Sequence, residues 1–187
     1  MAIKQYSKKL EGNNNLTEHF KVSEFACHDG SDYIPIDIDL AYKLELIRRH
    51  FGKPITVTSA YRTPAYNRKV GGASSSYHTK GKAFDIVVQG VKPYDVAHFA
   101  QGLWIMGIGC YYDSGFVHID GRGFPTYWKN QSVTPVQTFG NYPSCDCNVR
   151  NVRLVHMADG WSFPQHGITD NGDDEEFRNV LKASAIK

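Results

Sequence analysis

The stretch Ser76-Tyr77-His78-Thr79-Lys80-Gly81-Lys82-Ala83-Phe84-Asp85 runs from a polar loop, through a glycine, into an apolar strand. Its continuation, Ile86-Val87-Val88, is β-branched, yet a carboxylate stands inside the run. A carboxylate buried among such neighbours is costly unless it is paired or bound to a metal. A second passage, Phe116-Val117-His118-Ile119-Asp120, poses the same problem with an imidazole. Two ionisable side chains embedded in two hydrophobic strands point to a common partner. A tight turn at Gly81 can fold His78 back toward Asp85, and His118 on a neighbouring strand completes a His-Asp-His set. Three such ligands with a fourth position open to water describe a catalytic zinc site.

The surrounding sequence supplies the scaffold. Ile36, Leu40, Leu44, Ile47 and Phe51 recur at helical spacing and predict a helix over 37–51. Asp37 is placed to cap it, cations fill its last turn, and Gly52 and Pro54 end it. Ile55 to Thr58 reads as a short strand, and residues 59–82 as a long loop of the kind that usually carries function. Ala83 to Val88 is a strand. Pro93 opens a second helix reaching Trp104. Gly107 to Tyr112 and Phe116 to Asp120 form a strand pair about Asp113-Ser114-Gly115. Residues 1–15 read as a flexible lead-in, and 16–34 as an irregular segment pinning Phe20, Val22, Phe25 and Cys27 onto a core. Beyond Arg122 the pattern weakens, with a strand expected within 149–157 and a helix over 173–187. The organisation expected is a catalytic domain over 16–140 and a C-terminal extension over 141–187.

Composition narrows the classes. The 187 residues are 41% hydrophobic and 21% charged, ordinary values for a globular domain. A net charge of +2 lacks the basic footprint of a nucleic-acid binder. No apolar run approaches the ~20 residues of a membrane helix, and the polar N-terminus does not resemble a secretory signal. The expectation is a monomer that stays in the cytoplasm until it is released. Cys27, Cys110, Cys145 and Cys147 are too sparse for a disulfide-stapled scaffold and read as structural.

The pattern S-x-H-x-x-G-x-A-x-D, followed some thirty residues later by H-x-D, resembles the zinc D-Ala-D-Ala carboxypeptidases and related endolysin peptidases, which share a fold with the hedgehog signalling domain. Ser59-Ala60-Tyr61-Arg62-Thr63-Pro64 and Asn67 look like the S-x-Y-R-[ST] segment of that family. The resemblance runs from about Leu16 to Arg122. It implies an α+β fold, a small antiparallel sheet with helices packed on it. It also implies one Zn2+ held by His78, Asp85 and His118, and hydrolysis of peptidoglycan peptides, with lysis by a phage or prophage as the route to the wall. On that resemblance Arg62 contacts substrate or developing negative charge, as a guanidinium fork can.

The general base departs from the pattern. Positions two and three before His118 hold Phe116 and Gly115, which cannot take a proton. Asp120 is the favoured replacement, because residues two apart on a strand share a face. The turn residue Asp113 is the alternative. Asp120 can instead orient a ligand histidine by accepting its other N–H. A non-catalytic wall-binding or peptide-binding module is the competing reading of the whole chain.

Overall fold

The computed structural model describes residues 3–129, 153–156 and 162–165. The helix read from the apolar stripe forms as α2, Ile38–Phe51. The Asp37 carboxylate accepts from Leu40 N–H at its start, and Gly52, in the left-handed conformation, ends it. Leu40, Leu44 and Ile47 are buried. The loop over 59–82 contains two short helices: α3, Pro64–Lys69, capped by the Thr63 hydroxyl, and a 3-10 turn over Tyr77–Lys80. The second long helix, α4, Pro93–Gly102, stops two residues before Trp104, which adopts a positive φ of 55°.

The sheet explains where the polar residues of the hydrophobic strands go. Its order is β3 (Ile55–Ser59), β4 (Ala83–Val88), β6 (Phe116–Asp120), β5 (Gly107–Tyr111), β7 (Thr126–Lys129). The first four strands pair antiparallel, as expected, while β7 joins β5 in parallel. Because side chains alternate between faces, each register row belongs to one face. One row reads Ser59, Asp85, His118, Gly109, Trp128, and the next on that face reads Ala83, Asp120, Gly107, Thr126. Between them runs Phe84, Ile119, Ile108, Tyr127 on the opposite face, where Phe84, Ile119 and Ile108 join the core that includes α2 and α4 residues. The polar positions are the second face of a two-faced sheet.

Within the lead-in expected over 1–15, residues 3–11 take regular structure. Strand β1, Ile3–Ser7, pairs antiparallel with β2, Tyr33–Asp37, and helix α1, Lys8–Glu11, follows it. The reason is local hydrogen bonding: the Asp32 carboxylate accepts from Ser7 Oγ and Lys9 N–H, and the Ser7 hydroxyl caps α1. The next segment buries Phe20, Val22, Phe25 and Cys27 as the sequence suggested. Glu45 of α2 ties it down, accepting from Thr17 Oγ1 and His19 N–H and pairing with His19 Nδ1. Cys27 and Cys110 are buried free thiols.

Contacts divide the chain into Met1–Ser144 and Cys145–Lys187. In the second unit β8 (Arg153–His156) and β9 (Ser162–Gln165) pair antiparallel, which places a strand inside the 149–157 expectation. The helix expected over 173–187, the boundary expected after residue 140, Cys145 and Cys147 lie outside the described residues. Among the described residues no helix is long and apolar enough to cross a membrane.

Candidate metal centre

His78, Asp85 and His118 meet at one point of the sheet face. Asp85 and His118 are cross-strand partners on β4 and β6. His78 comes from the 3-10 turn, which Gly81 closes at φ 68°. A Cβ on Gly81 would lie 2.3 Å from the Pro35 carbonyl oxygen, so the turn requires glycine both for its conformation and for its closeness to β2. The side chains are 4%, 10% and 12% exposed for His78, Asp85 and His118 respectively.

The donor atoms argue for a cation. His78 Nε2 lies 3.3 Å from Asp85 Oδ1 and 3.2 Å from His118 Nδ1, and His118 Nδ1 lies 2.8 Å from Asp85 Oδ1. Tetrahedral zinc with ligand bonds of 2.0–2.1 Å needs donors ~3.3 Å apart. The outer ring nitrogens are already committed: His78 Nδ1 is 2.7 Å from the Ala60 carbonyl, and His118 Nε2 is 3.0 Å from Asp120 Oδ2. Both are acceptors, so each outer nitrogen donates and each inner nitrogen presents a lone pair. Two lone pairs and a carboxylate oxygen facing one another repel unless a cation sits among them. The residues present therefore fit a divalent ion. Burial alone would lower the His118 pKa, but bonding to Asp120 and Asp85 outweighs it and raises the value. Burial alone would raise Asp85, yet the bonds from His118 and His78 hold it far below the usual carboxylate range.

Arg62 belongs to the site. Its Nη2 donates to Asp85 Oδ2 at 2.6 Å and its Nε to Ser59 Oγ at 2.7 Å. It thus fixes the carboxylate oxygen that faces away from the histidines. Asp120 sits behind His118. It is fully buried, bound to the far nitrogen of His118, and both its oxygens accept from Arg122. That is the placement of the alternative role, orienting a ligand histidine through its other N–H. Same-face placement was the right inference, but the imidazole stands between Asp120 and the other donors. Asp113 is exposed in the turn after β5.

Sequence reasoning missed Trp128 and Arg122. Trp128 lies over Gly109 and near the His118 ring, at 5.2 Å between centroids, and its indole N–H donates to Tyr111 Oη at 3.1 Å. The alternate glycines of β5 were the available signal, since glycine in a strand interior marks a close approach. A Cβ at Gly109 would meet the Trp128 ring at 2.5 Å, and one at Gly107 would meet Asp120 Oδ1 at 2.1 Å. A second cluster of possible ligands, Glu18, His19 and Glu45, already holds the Arg49 cation, which pairs with both carboxylates.

The peptidoglycan L,D-endopeptidase MepK of Escherichia coli (strain K12) is 37% identical over 81 residues, covering 41% of this chain and 44% of the relative. The probable peptidoglycan L,D-endopeptidase MepK of Haemophilus influenzae is 34% identical over 102 residues, covering 50% and 54%. The zinc D-Ala-D-Ala carboxypeptidase of Streptomyces albus G is 33% identical over 106 residues, covering 56% and 37%. The chain therefore spans about half the length, or less, of these relatives. The Peptidase M15 family model matches residues 16–120, a span that starts at the segment pinned by Glu45 and ends at the carboxylate behind His118. With more than half of its length matched and the histidine and aspartate donors meeting inside the match, the chain belongs to the Peptidase M15 family.

Proposed function

We propose that this chain is a zinc metallopeptidase that hydrolyses peptide bonds in the stem or cross-bridge of bacterial peptidoglycan, with His78, Asp85 and His118 as the ligands of one ion. The observation that carries the proposal is the convergence of two imidazole lone pairs and a carboxylate on one point, each fixed from behind. When bound, zinc supplies Lewis acidity to a water nucleophile and to the scissile carbonyl. The chain's own groups would hold and orient the ligands of the ion. The Ala60 carbonyl and Asp120 hold the imidazoles in their donor tautomers, and Arg62 steadies Asp85. Arg62, 17% exposed, keeps the remainder of its guanidinium fork for negative charge developing on the substrate. Trp128 stands beside the His118 ring, its indole N–H held by Tyr111 Oη. Delivery to the wall at lysis, as an endolysin-type enzyme, and wall binding by residues 141–187 belong to the same proposal.

Purified peptidoglycan digested by the wild-type chain and by His78→Ala, with and without a chelator, tests it by mass analysis of the fragments. The expected result is release of peptides by the wild type alone, abolished by the chelator and restored by zinc. Absence of fragments from a zinc-loaded, folded wild type would sink the enzymatic reading. A non-catalytic zinc-containing wall-binding module is favoured by one observation: Asp120, the favoured base, is held by His118 Nε2 and Arg122 behind the imidazole. That reading predicts sedimentation with peptidoglycan and no new fragments.

A further inference from the structure

Behind His118 lies a structure that the zinc-ligand pattern does not call for. Asp120 is 0% exposed, and a buried carboxylate with a free oxygen can rotate or take up a proton. Here it can do neither cheaply. Arg122 Nε donates to Asp120 Oδ1 at 2.8 Å, Arg122 Nη2 to Oδ2 at 2.6 Å, and Arg122 backbone N–H to Oδ1 at 3.0 Å. Two parallel guanidinium bonds fix the plane of the carboxylate. The remaining direction at Oδ2 meets His118 Nε2 at 3.0 Å. Arg122 is itself gripped. Its guanidinium carbon lies 4.9 Å from the Trp128 ring centre and 5.1 Å from that of Tyr77, close enough for cation–π attraction. Tyr77 precedes His78, and Trp128 flanks His118. One cation therefore touches structure next to both histidine donors.

We infer that Arg122 and Asp120 form an orienting chain for His118: the aromatic-clamped guanidinium fixes the carboxylate, the carboxylate fixes Nε2–H, and the Nδ1 lone pair is thereby aimed at the ion. Arg122 is a positioning residue for metal binding, not a group that touches substrate. The inference rests on His78, Asp85 and His118 being metal ligands. Removing an outer partner of a ligand histidine typically costs ~10–100-fold in metal affinity.

The test uses the full chain and five proteins: wild type, Asp120→Asn, Arg122→Gln, Arg122→Lys and the Asp120→Asn/Arg122→Gln double variant. Zinc dissociation constants are measured by competition with a chromophoric chelator. Visible spectra are taken after loading with cobalt(II), and circular dichroism reports folding. Asp120→Asn and Arg122→Gln should each weaken zinc by ~10–100-fold and alter the cobalt spectrum. The double variant should be no weaker than the worse single one, because both act through one bond. Arg122→Lys, which keeps the charge and stem but not the fork, should recover part of the loss. If Arg122→Gln does not fold, Arg122→Lys and Asp120→Asn carry the decision. Wild-type affinity and spectrum in both, or losses that multiply in a folded double variant, would overturn the inference. A wild type that binds no zinc would instead overturn the ligand assignment, and the inference with it.

Discussion

At the scale of single residues, the chain spends its buried charges on holding things still. Glu45 shows this away from the candidate site. Burial raises its pKa, but hydrogen bonds from Thr17 and His19 outweigh that and bring it below the ordinary 4.5. A carboxylate lowered by folding stabilises the native state above its unfolded pKa, and that contribution is lost as the pH falls through the folded value. Urea unfolding of Glu45→Gln should therefore show a lower midpoint than wild type at neutral pH. The gap should shrink as the pH falls below the ordinary 4.5 and on through the lower folded value. An equal gap at every pH would remove Glu45 as the acid-sensitive pin of residues 16–20. Residue identity was legible at His78, Asp85 and His118 because polar groups in apolar strands are conspicuous. The role of Asp120 was not. Sequence spacing gives the face of a strand but not which ring nitrogen a neighbour reaches, and the Arg122 fork that settles it involves a side chain beyond the motif.

At the scale of elements, strands β4, β5 and β6 and helices α2 and α4 were readable from alternation and helical spacing. Strand β7 was not, because four residues after a Gly-Phe-Pro stretch carry too little pattern. Its position depends on the glycines of β5. Gly109→Ala should push the Trp128 ring off β5 and away from His118, since the added Cβ falls 2.5 Å from it. Overpacking of this kind costs ~1–3 kcal/mol. Thermal unfolding should report the loss, and tryptophan fluorescence should report the displaced indole. An unchanged emission spectrum would mean that the ring does not rest on that glycine. Helices α3 and the Tyr77–Lys80 turn escaped the sequence reading for a different reason: both are too short for periodicity, and their caps are single hydroxyls, Thr63 and Ser76.

At the scale of the whole molecule, the N-terminus braces the candidate site. Strand β1 covers the edge of β2, and β2 in turn supports the turn that carries His78. Asp37 N–H donates to the Gly81 carbonyl at 2.9 Å, and the Pro35 carbonyl abuts Gly81. Removal of residues 1–7 should lower the unfolding free energy read from urea titration, by a few kcal/mol if each strand hydrogen bond contributes ~0.5–1.5 kcal/mol. It should also weaken zinc binding without deleting a donor. Unchanged affinity in the truncated chain would disconnect the brace from the site. No pattern in residues 3–7 announces this pairing: β1 has no buried residue, so its order comes from backbone partners and Asp32 and not from an apolar stripe.

The rows of the sheet have one more consequence. Asp85 and His118 stand directly opposite each other, and the residues beside them, Phe84 and Ile119, belong to the core on the other face. A slip of one position between β4 and β6 would turn the donors inward and the core outward together. Solubility and chemistry are thus written in the same alternation. Within these two strands only exchanges of like for like keep both faces intact. The connections at 89–92 and 112–115 can lengthen without disturbing the parity of the sheet.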